Sequence, residues 1–207
     1  MNYWGHTVIQ AGEGADVIDL RERWAAGAEG LASTAARRSQ HAVFAAILAA
    51  HDDRLRALAY HLLGSRDAMD DVLQEVYLKV YDRLSTFRGE AAIDTWLHRI
   101  TYTTCIDRLR RTGRAVPLPP EAIEAALPAG EAADDNVALR DELHRALAAL
   151  DPEQCAAVLL VLRDGHTYDD AAEILGVPRG TVASRVASAR ERLARSLSAS
   201  KEGGEQR

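Results

Sequence analysis

Apolar residues recur at helical spacing along most of this chain. Between His41 and Leu63, the positions of Val43, Phe44, Ile47, Leu48, Leu55, Leu58 and Leu62 predict a helix that Gly64 ends. From about Asp67 to Leu84, the residues Met69, Val72, Leu73, Val76, Tyr77, Val80 and Leu84 fall on one stripe. The opposite face carries Asp67, Asp70, Asp71, Gln74 and Glu75, with Leu78 among them. A third helix, about Ala92 to Arg111, holds Trp96, Leu97, Ile100 and Leu109 and turns basic before Thr112-Gly113 stops it. Strand-like alternation is scarce, so the pattern predicts an all-α protein.

The sharpest local signal lies further on, from Thr167 to Leu193. Thr167 with Asp170 three residues later is a capping-box signature. Ala171, Ala172, Ile174 and Leu175 form the apolar side of a short helix, Gly176 fits a left-handed stop, and Pro178 suits the opening of the next helix. There Val182, Val186, Ala189 and Leu193 share a face, while Thr181, Ser184 and Ser188 point away with Arg185 and Arg192 beside them. A buried stripe opposite short hydroxyls and arginines suits a helix lying in a DNA major groove. An ordinary helical hairpin with a solvated basic face would give the same local pattern, so the rest of the chain has to decide.

Between the two helical units, residues 114–135 hold prolines at 117, 119, 120 and 128 with many alanines and acids, a linker composition. The second unit runs from about Asn136 to Leu197, with Asp151-Pro152 as a helix start and Gly165 separating its third helix from Thr167. Residues 1–40 contain scattered apolar positions broken by Gly12, Gly14, Gly27 and Gly30, and read as an extension; residues 199–207 read as a polar tail.

The net charge of −6 argues at first against nucleic acid, but its distribution reverses that. Asp107 to Arg114 holds four arginines against one aspartate, and Arg179 to Arg195 five arginines against one glutamate. Residues 115–135 between them carry five acids and no base, so two basic patches flank an acidic connector. Only Lys79 and Lys201 are lysines, and arginine's planar fork suits base and phosphate contacts. Cys105 and Cys155 form no CxxC pair and read as small buried residues. No apolar run reaches ~18 residues and no secretory signal pattern opens the chain, which predicts a cytoplasmic protein without membrane insertion. The seven histidines show no HExxH spacing, and there is no P-loop and no GxSxG. No enzyme activity, metal, cofactor or small-molecule substrate is therefore expected.

These pieces stand in a telling order: DDxxQE (Asp70, Asp71, Gln74, Glu75), FRG (Phe87 to Gly89), TWLHRI (Thr95 to Ile100) and DRLRR (Asp107 to Arg111), then the linker, LDPEQ (Leu150 to Gln154) and GTVxSR (Gly180 to Arg185). The chain resembles an extracytoplasmic-function (ECF) sigma factor of bacterial RNA polymerase over about residues 40–197. The resemblance implies two small helical domains joined by a flexible linker. Region 2 would span 41–113, the linker 114–135, and region 4, a helix–turn–helix domain of winged-helix-like or sigma region 4 type, 136–198. It implies that Asp70, Asp71, Gln74, Glu75 and Leu78 engage core polymerase, chiefly its β′ subunit, with β also a partner. Phe87, Arg88, Trp96, Thr103, Asp107, Arg108, Arg110 and Arg111 would bind the −10 element, where melted bases need stacking platforms and arginines hold phosphates. Trp96 has a core role as its alternative, and Arg114 would join the phosphate contacts. Arg179, Thr181, Ser184, Arg185 and Ser188 would read the −35 element. The acidic linker would thread toward the polymerase cleft, and an anti-sigma factor is an expected partner.

Departures are Thr103, where the family commonly has asparagine, and Ala183, where it often has lysine or arginine. Residues 1–40 have no counterpart in the minimal pattern and are expected to tune activity. The competing reading is a stand-alone helix–turn–helix regulator, which would bind duplex DNA without polymerase and leaves the DDxxQE helix and the basic 107–114 segment without a task.

Overall fold

A computed structural model describes residues 34–84, 87, 89, 91–113 and 135–204. The expectations for residues 1–33, Arg88, Arg114 and almost all of the linker lie outside them. Among the described residues there are seven helices and no strand, so the helix–turn–helix is of the region 4 kind without a wing.

The first unit has α1 (Thr34–Leu63), α2 (Arg66–Arg83) and α3 (Ile93–Thr112). Helix α1 begins seven residues before the expected start. Thr34 to Gln40 are helix-compatible but present no apolar stripe, so periodicity does not register them. Ser65 caps α2 by accepting a hydrogen bond from the Ala68 backbone N–H at 3.4 Å. The second unit has α4 (Asp135–Ala148), α5 (Pro152–Val158), α6 (Tyr168–Leu175) and α7 (Arg179–Gly204).

The helix–turn–helix forms as its local chemistry predicts. Thr167 Oγ1 accepts from the Asp170 N–H at 3.1 Å, and Asp170 Oδ2 accepts from the Thr167 N–H at 3.2 Å. Gly176 ends α6 at φ +66°, a conformation that costs a side-chain-bearing residue more. Pro178 stands one position earlier than expected: its carbonyl accepts the first bonds of α7, from Thr181 at 2.9 Å and Val182 at 3.3 Å.

One element had no sequence signal. Helix α5 runs on into a π-helical turn at Leu159–Arg163, closed by Asp164 N–H donating to Leu159 O at 2.9 Å. The wider turn and Gly165 at φ +79° redirect the chain, so that the His166 N–H returns to Leu160 O at 2.9 Å. Both Asp164 and His166 consequently point inward.

The stripes read from the sequence are buried. Leu55, Leu58, Val72, Val76, Val80 and Leu97 fill the first unit, and Leu160, Ile174, Val182, Val186 and Ala189 the second. Each large member contributes roughly 1.5–3 kcal/mol by leaving water. The buried apolar residues of both units make one continuous cluster, with α3 packed on α6 and α1 on α5. No helix among the described residues is long and apolar enough to cross a membrane.

Candidate nucleic-acid interface

Helix α2 buries its apolar stripe and turns Asp70, Asp71 and Gln74 to solvent, with Glu75 half-buried. Leu78 stands at 67% exposure beside them, on the face opposite the core. The acids are held by cations of the same chain. Arg56 of α1 reaches Asp70 at 3.0 Å, Arg108 of α3 reaches Asp71 at 3.2 Å, and Lys79 and Arg111 reach Glu75 at 2.7 and 3.7 Å. The hydrogen bond from Lys79, aided by Arg111 and Arg108, keeps the Glu75 carboxyl below its ordinary range. Exposed pairs of this kind contribute little, ~0–1 kcal/mol, so exchanging one for an intermolecular partner costs little.

The described residues assigned to the −10 element differ in exposure. Asp107, Arg110 and Arg111 are exposed at the end of α3, and Arg108 leans onto Asp71. Thr103 is exposed, but its hydroxyl donates to Arg99 O at 2.8 Å and Ile100 O at 3.0 Å, leaving it poorly placed to donate to a base. Phe87 departs from the expectation. It is only 7% exposed, with its ring 5.1 Å from that of Trp96 at 46°. In this arrangement it braces Trp96 and presents no stacking face of its own. Trp96 is half-buried: one part packs against the core, as its alternative reading expected, and the rest is accessible.

In the second unit, Arg179 is exposed, 3.4 Å from Asp169 and 5.9 Å from the Tyr168 ring centre. Thr181 and Ser184 lie on the outward part of α7, and the Ser184 hydroxyl donates to Thr181 O at 2.9 Å. Arg185 and Ser188 face α5 instead. Arg185 pairs with Glu153 at 3.4 Å, leaving its Nη1 buried and without a hydrogen-bond partner, and Ser188 Oγ accepts from Gln154 at 3.4 Å. Arg192, expected beside the DNA-facing hydroxyls, is an anchor. It donates to Asp151 Oδ2 at 3.1 Å, Gln154 Oε1 at 2.8 Å and Ala149 O at 2.8 Å. The LDPEQ motif thus clamps the recognition helix, and Asp151 uses its carboxylate there rather than as a helix cap.

The Sigma-70 region 2 family model matches residues 47–115, and the Sigma-70, region 4 model matches residues 140–193. The ECF RNA polymerase sigma factor SigM of Mycobacterium tuberculosis (strain H37Rv) is 41% identical over 148 residues, covering 71% of this chain and 73% of that protein. The chain belongs to the ECF sigma factors. The ECF RNA polymerase sigma-E factor of Escherichia coli K12 is 32% identical over 168 residues, 76% of this chain and 87% of that one. A solved sigma factor RpoE in complex with the anti-sigma factor NepR, from Bartonella quintana, superposes with a TM-score of 0.60 at 27% identity, over 73% of this chain and 94% of that one. CnrH in complex with the cytosolic domain of CnrY shares the fold, with a TM-score of 0.57 at 22% identity over 86% and 97% of the two chains.

As an ECF sigma factor the protein binds core RNA polymerase and promoter DNA, recognises −35 and −10 elements and serves transcription initiation. The sequence reading missed what joins its two regions. Asp94 and His98 of α3 meet Asp164 and His166, which precede α6. Burial alone would raise Asp94, but hydrogen bonds from His51 and His98 outweigh it and hold this carboxyl far below its ordinary value. Burial would lower His98, and bonds to Asp164 and Asp94 reverse that, raising it to about 9. Burial and His98 lower His166. A second contact stacks His61 of α1 on His144 of α4, 5.0 Å apart at 18°. These pairs lie roughly 70 and 80 residues apart in sequence, so no local pattern announces them. Burial pushes both cysteine thiols up to about 12, which makes them unreactive packing groups.

Proposed function

We propose that this sigma factor docks on polymerase through the α2 face formed by Asp70, Asp71, Gln74, Glu75 and Leu78. The observation that carries this is the exposed leucine beside acids whose counter-charges, among the described residues, are weak, exchangeable surface pairs. When a basic surface of the β′ subunit takes the acids, Arg108 and Arg111 are released beside the −10 strand. Docking and DNA capture are thereby coupled through the same ion pairs. Trp96 and the arginines of α3, with Asp107, serve the −10 element. Arg179, Thr181, Ser184, Arg185 and Ser188 serve the −35 element, Arg185 after leaving Glu153.

The chain supplies recognition and strand capture and no catalytic group, and it works in the cytoplasm. The cleft between the regions, about 840 Å³, is lined by Met69, Leu143, Leu147, Leu162 and Leu193 and bordered by Asp53, Arg56 and Arg163. An anti-sigma helix with one apolar face fits it; the RpoE structure is a complex with the anti-sigma factor NepR.

The test is a pull-down with core polymerase followed by run-off transcription on a promoter library. Binding with start-site-specific transcripts is expected, and both should disappear when Asp71 and Glu75 become lysines. Transcription that persists in that variant would refute the docking face.

A further inference from the structure

We infer that the junction between regions 2 and 4 is a binding site for one divalent transition metal of the zinc class, held by Asp94, His98 and His166 with Asp164 beside them. One ligand atom from each of Asp94, His98 and His166 lies within 4.8 Å of the others. Four features point to a cation there.

Three atoms at this spot, His98 Nε2, His166 Nε2 and Asp164 Oδ2, have no hydrogen-bond partner although buried. The side chains of His98 and Asp164 are 0% and 1% exposed and that of His166 6%, so solvent does not satisfy them. Orphaned buried polar atoms are rare and costly, and each needs an account.

Two of the separations are compatible with ligands of one ion. His166 Nε2 stands 3.3 Å from Asp94 Oδ2, and His98 Nε2 stands 3.6 Å from Asp164 Oδ2. Two ligands ~2.0–2.1 Å from one tetrahedral zinc lie roughly 3.3–3.4 Å apart.

The outer partners orient the ligands as metal sites require. His98 Nδ1 is 2.8 Å from Asp94 O, a bond in which it donates, so that Nε2, facing Asp164, is the atom that would exchange its proton for a metal. His51 Nδ1 bonds Asp94 Oδ1 at 2.7 Å and fixes that carboxylate, so that Oδ2 faces His166.

A water molecule fits the donor set poorly. With both imidazoles neutral and Nε2 bare, its two hydrogens would face two imidazole nitrogens and two carboxylates, whereas a cation satisfies all of them at once. Arg54, half-exposed, approaches Asp94 Oδ2 at 3.4 Å from the solvent side, and Arg163 approaches the other oxygen of Asp164 at 3.7 Å. Asp94 and His98 belong to region 2 and Asp164 and His166 to region 4, so the ion would staple the two together. The metal site stands on this geometry alone.

The experiment takes the full chain, stripped with a chelator and titrated with Co²⁺. Visible d–d absorption saturating at one equivalent per chain is expected, with Zn²⁺ abolishing it by displacement. His166→Ala should weaken binding at least tenfold, while His61→Ala, in the other close imidazole pair, leaves it unchanged. In the unaltered chain, NMR should show the His98 and His166 ring signals responding to Zn²⁺, a readout that survives if the His166 variant does not fold. No one-equivalent signal, an unchanged signal in folded His166→Ala, or a response confined to other histidines would overturn the site. None of these readouts depends on polymerase or DNA, so their failure is distinct from failure of the docking model.

Discussion

Regions 2 and 4 hold their working residues in opposite ways. In region 2 the acids of α2 are neutralised on an open surface by arginines of α1 and α3, at pair distances of 3.0–3.7 Å. In region 4 Arg185 and Arg192 of α7 are held by Asp151, Glu153 and Gln154 at the start of α5. The first arrangement leaves both partners available to others at small cost. On the assignments proposed above, the second would make recognition wait on the release of Arg185 from Glu153. Protein docking and DNA reading would then begin from different thresholds within one chain.

The largest expected effect tests whether the two regions are energetically separate. Leu58→Ala opens a cavity in the region 2 core and should cost about 2–5 kcal/mol, read from the denaturant midpoint. Because one apolar cluster spans both regions, the fluorescence and far-UV transitions should shift together. A region 4 transition that stays in place would show two independent cores. Next, Asp71→Lys with Glu75→Lys should lower polymerase affinity at least 100-fold while the melting temperature changes little, since both side chains lie outside the core. In region 4, Arg185→Ala should cost on the order of 1–3 kcal/mol at one −35 position and relax its base preference. An equal loss on every sequence would make it a phosphate contact.

A smaller effect concerns the junction. Burial, with His144 and Arg163 nearby, lowers His61 to about 4, whereas Asp164 acts weakly the other way. A histidine depressed in the folded state stabilises it fully above the unfolded value of ~6.5. That contribution falls away as pH drops through 6.5 toward 4. Between pH 7 and 5 the loss should be about 1–2 kcal/mol, and His61→Leu should flatten this part of the pH–stability curve. Smallest of all, Glu153→Gln should raise duplex affinity less than tenfold, measured by fluorescence anisotropy, with the gain spread across cognate and unrelated sequences.

What was legible in the sequence follows how local each interaction is. The α6–α7 turn was readable residue by residue, because the Thr167–Asp170 capping box and Gly176 act within one helical turn. The acidic face of α2 was readable because period 3.6 places Asp70, Asp71, Gln74 and Leu78 opposite a continuous stripe. Arg192 was misjudged because its direction on the helix wheel is compatible with DNA, and only the chain's return through Asp151 and Gln154 makes it an anchor. Phe87 was misjudged because a loop aromatic carries no periodicity to say which way it points. The Asp94–His98–Asp164–His166 junction was invisible. It depends on a π turn that no residue type specifies and on residues joined only by the tertiary fold. Since α1 starts at Thr34, a deletion probing the N-terminal extension should stop at residue 33 rather than 40.

The Arg185–Glu153 pair has one more consequence. In the −35 role proposed for it, an Arg185 that already grips Glu153 would carry its own competitor, tethered at a fixed effective concentration. Lone phosphates and mismatched base edges would have to beat that competitor, which a guanine edge offering two aligned acceptors is best placed to do. Glu153 would then act as an intramolecular filter that sets how good a promoter must be before this sigma factor responds to it.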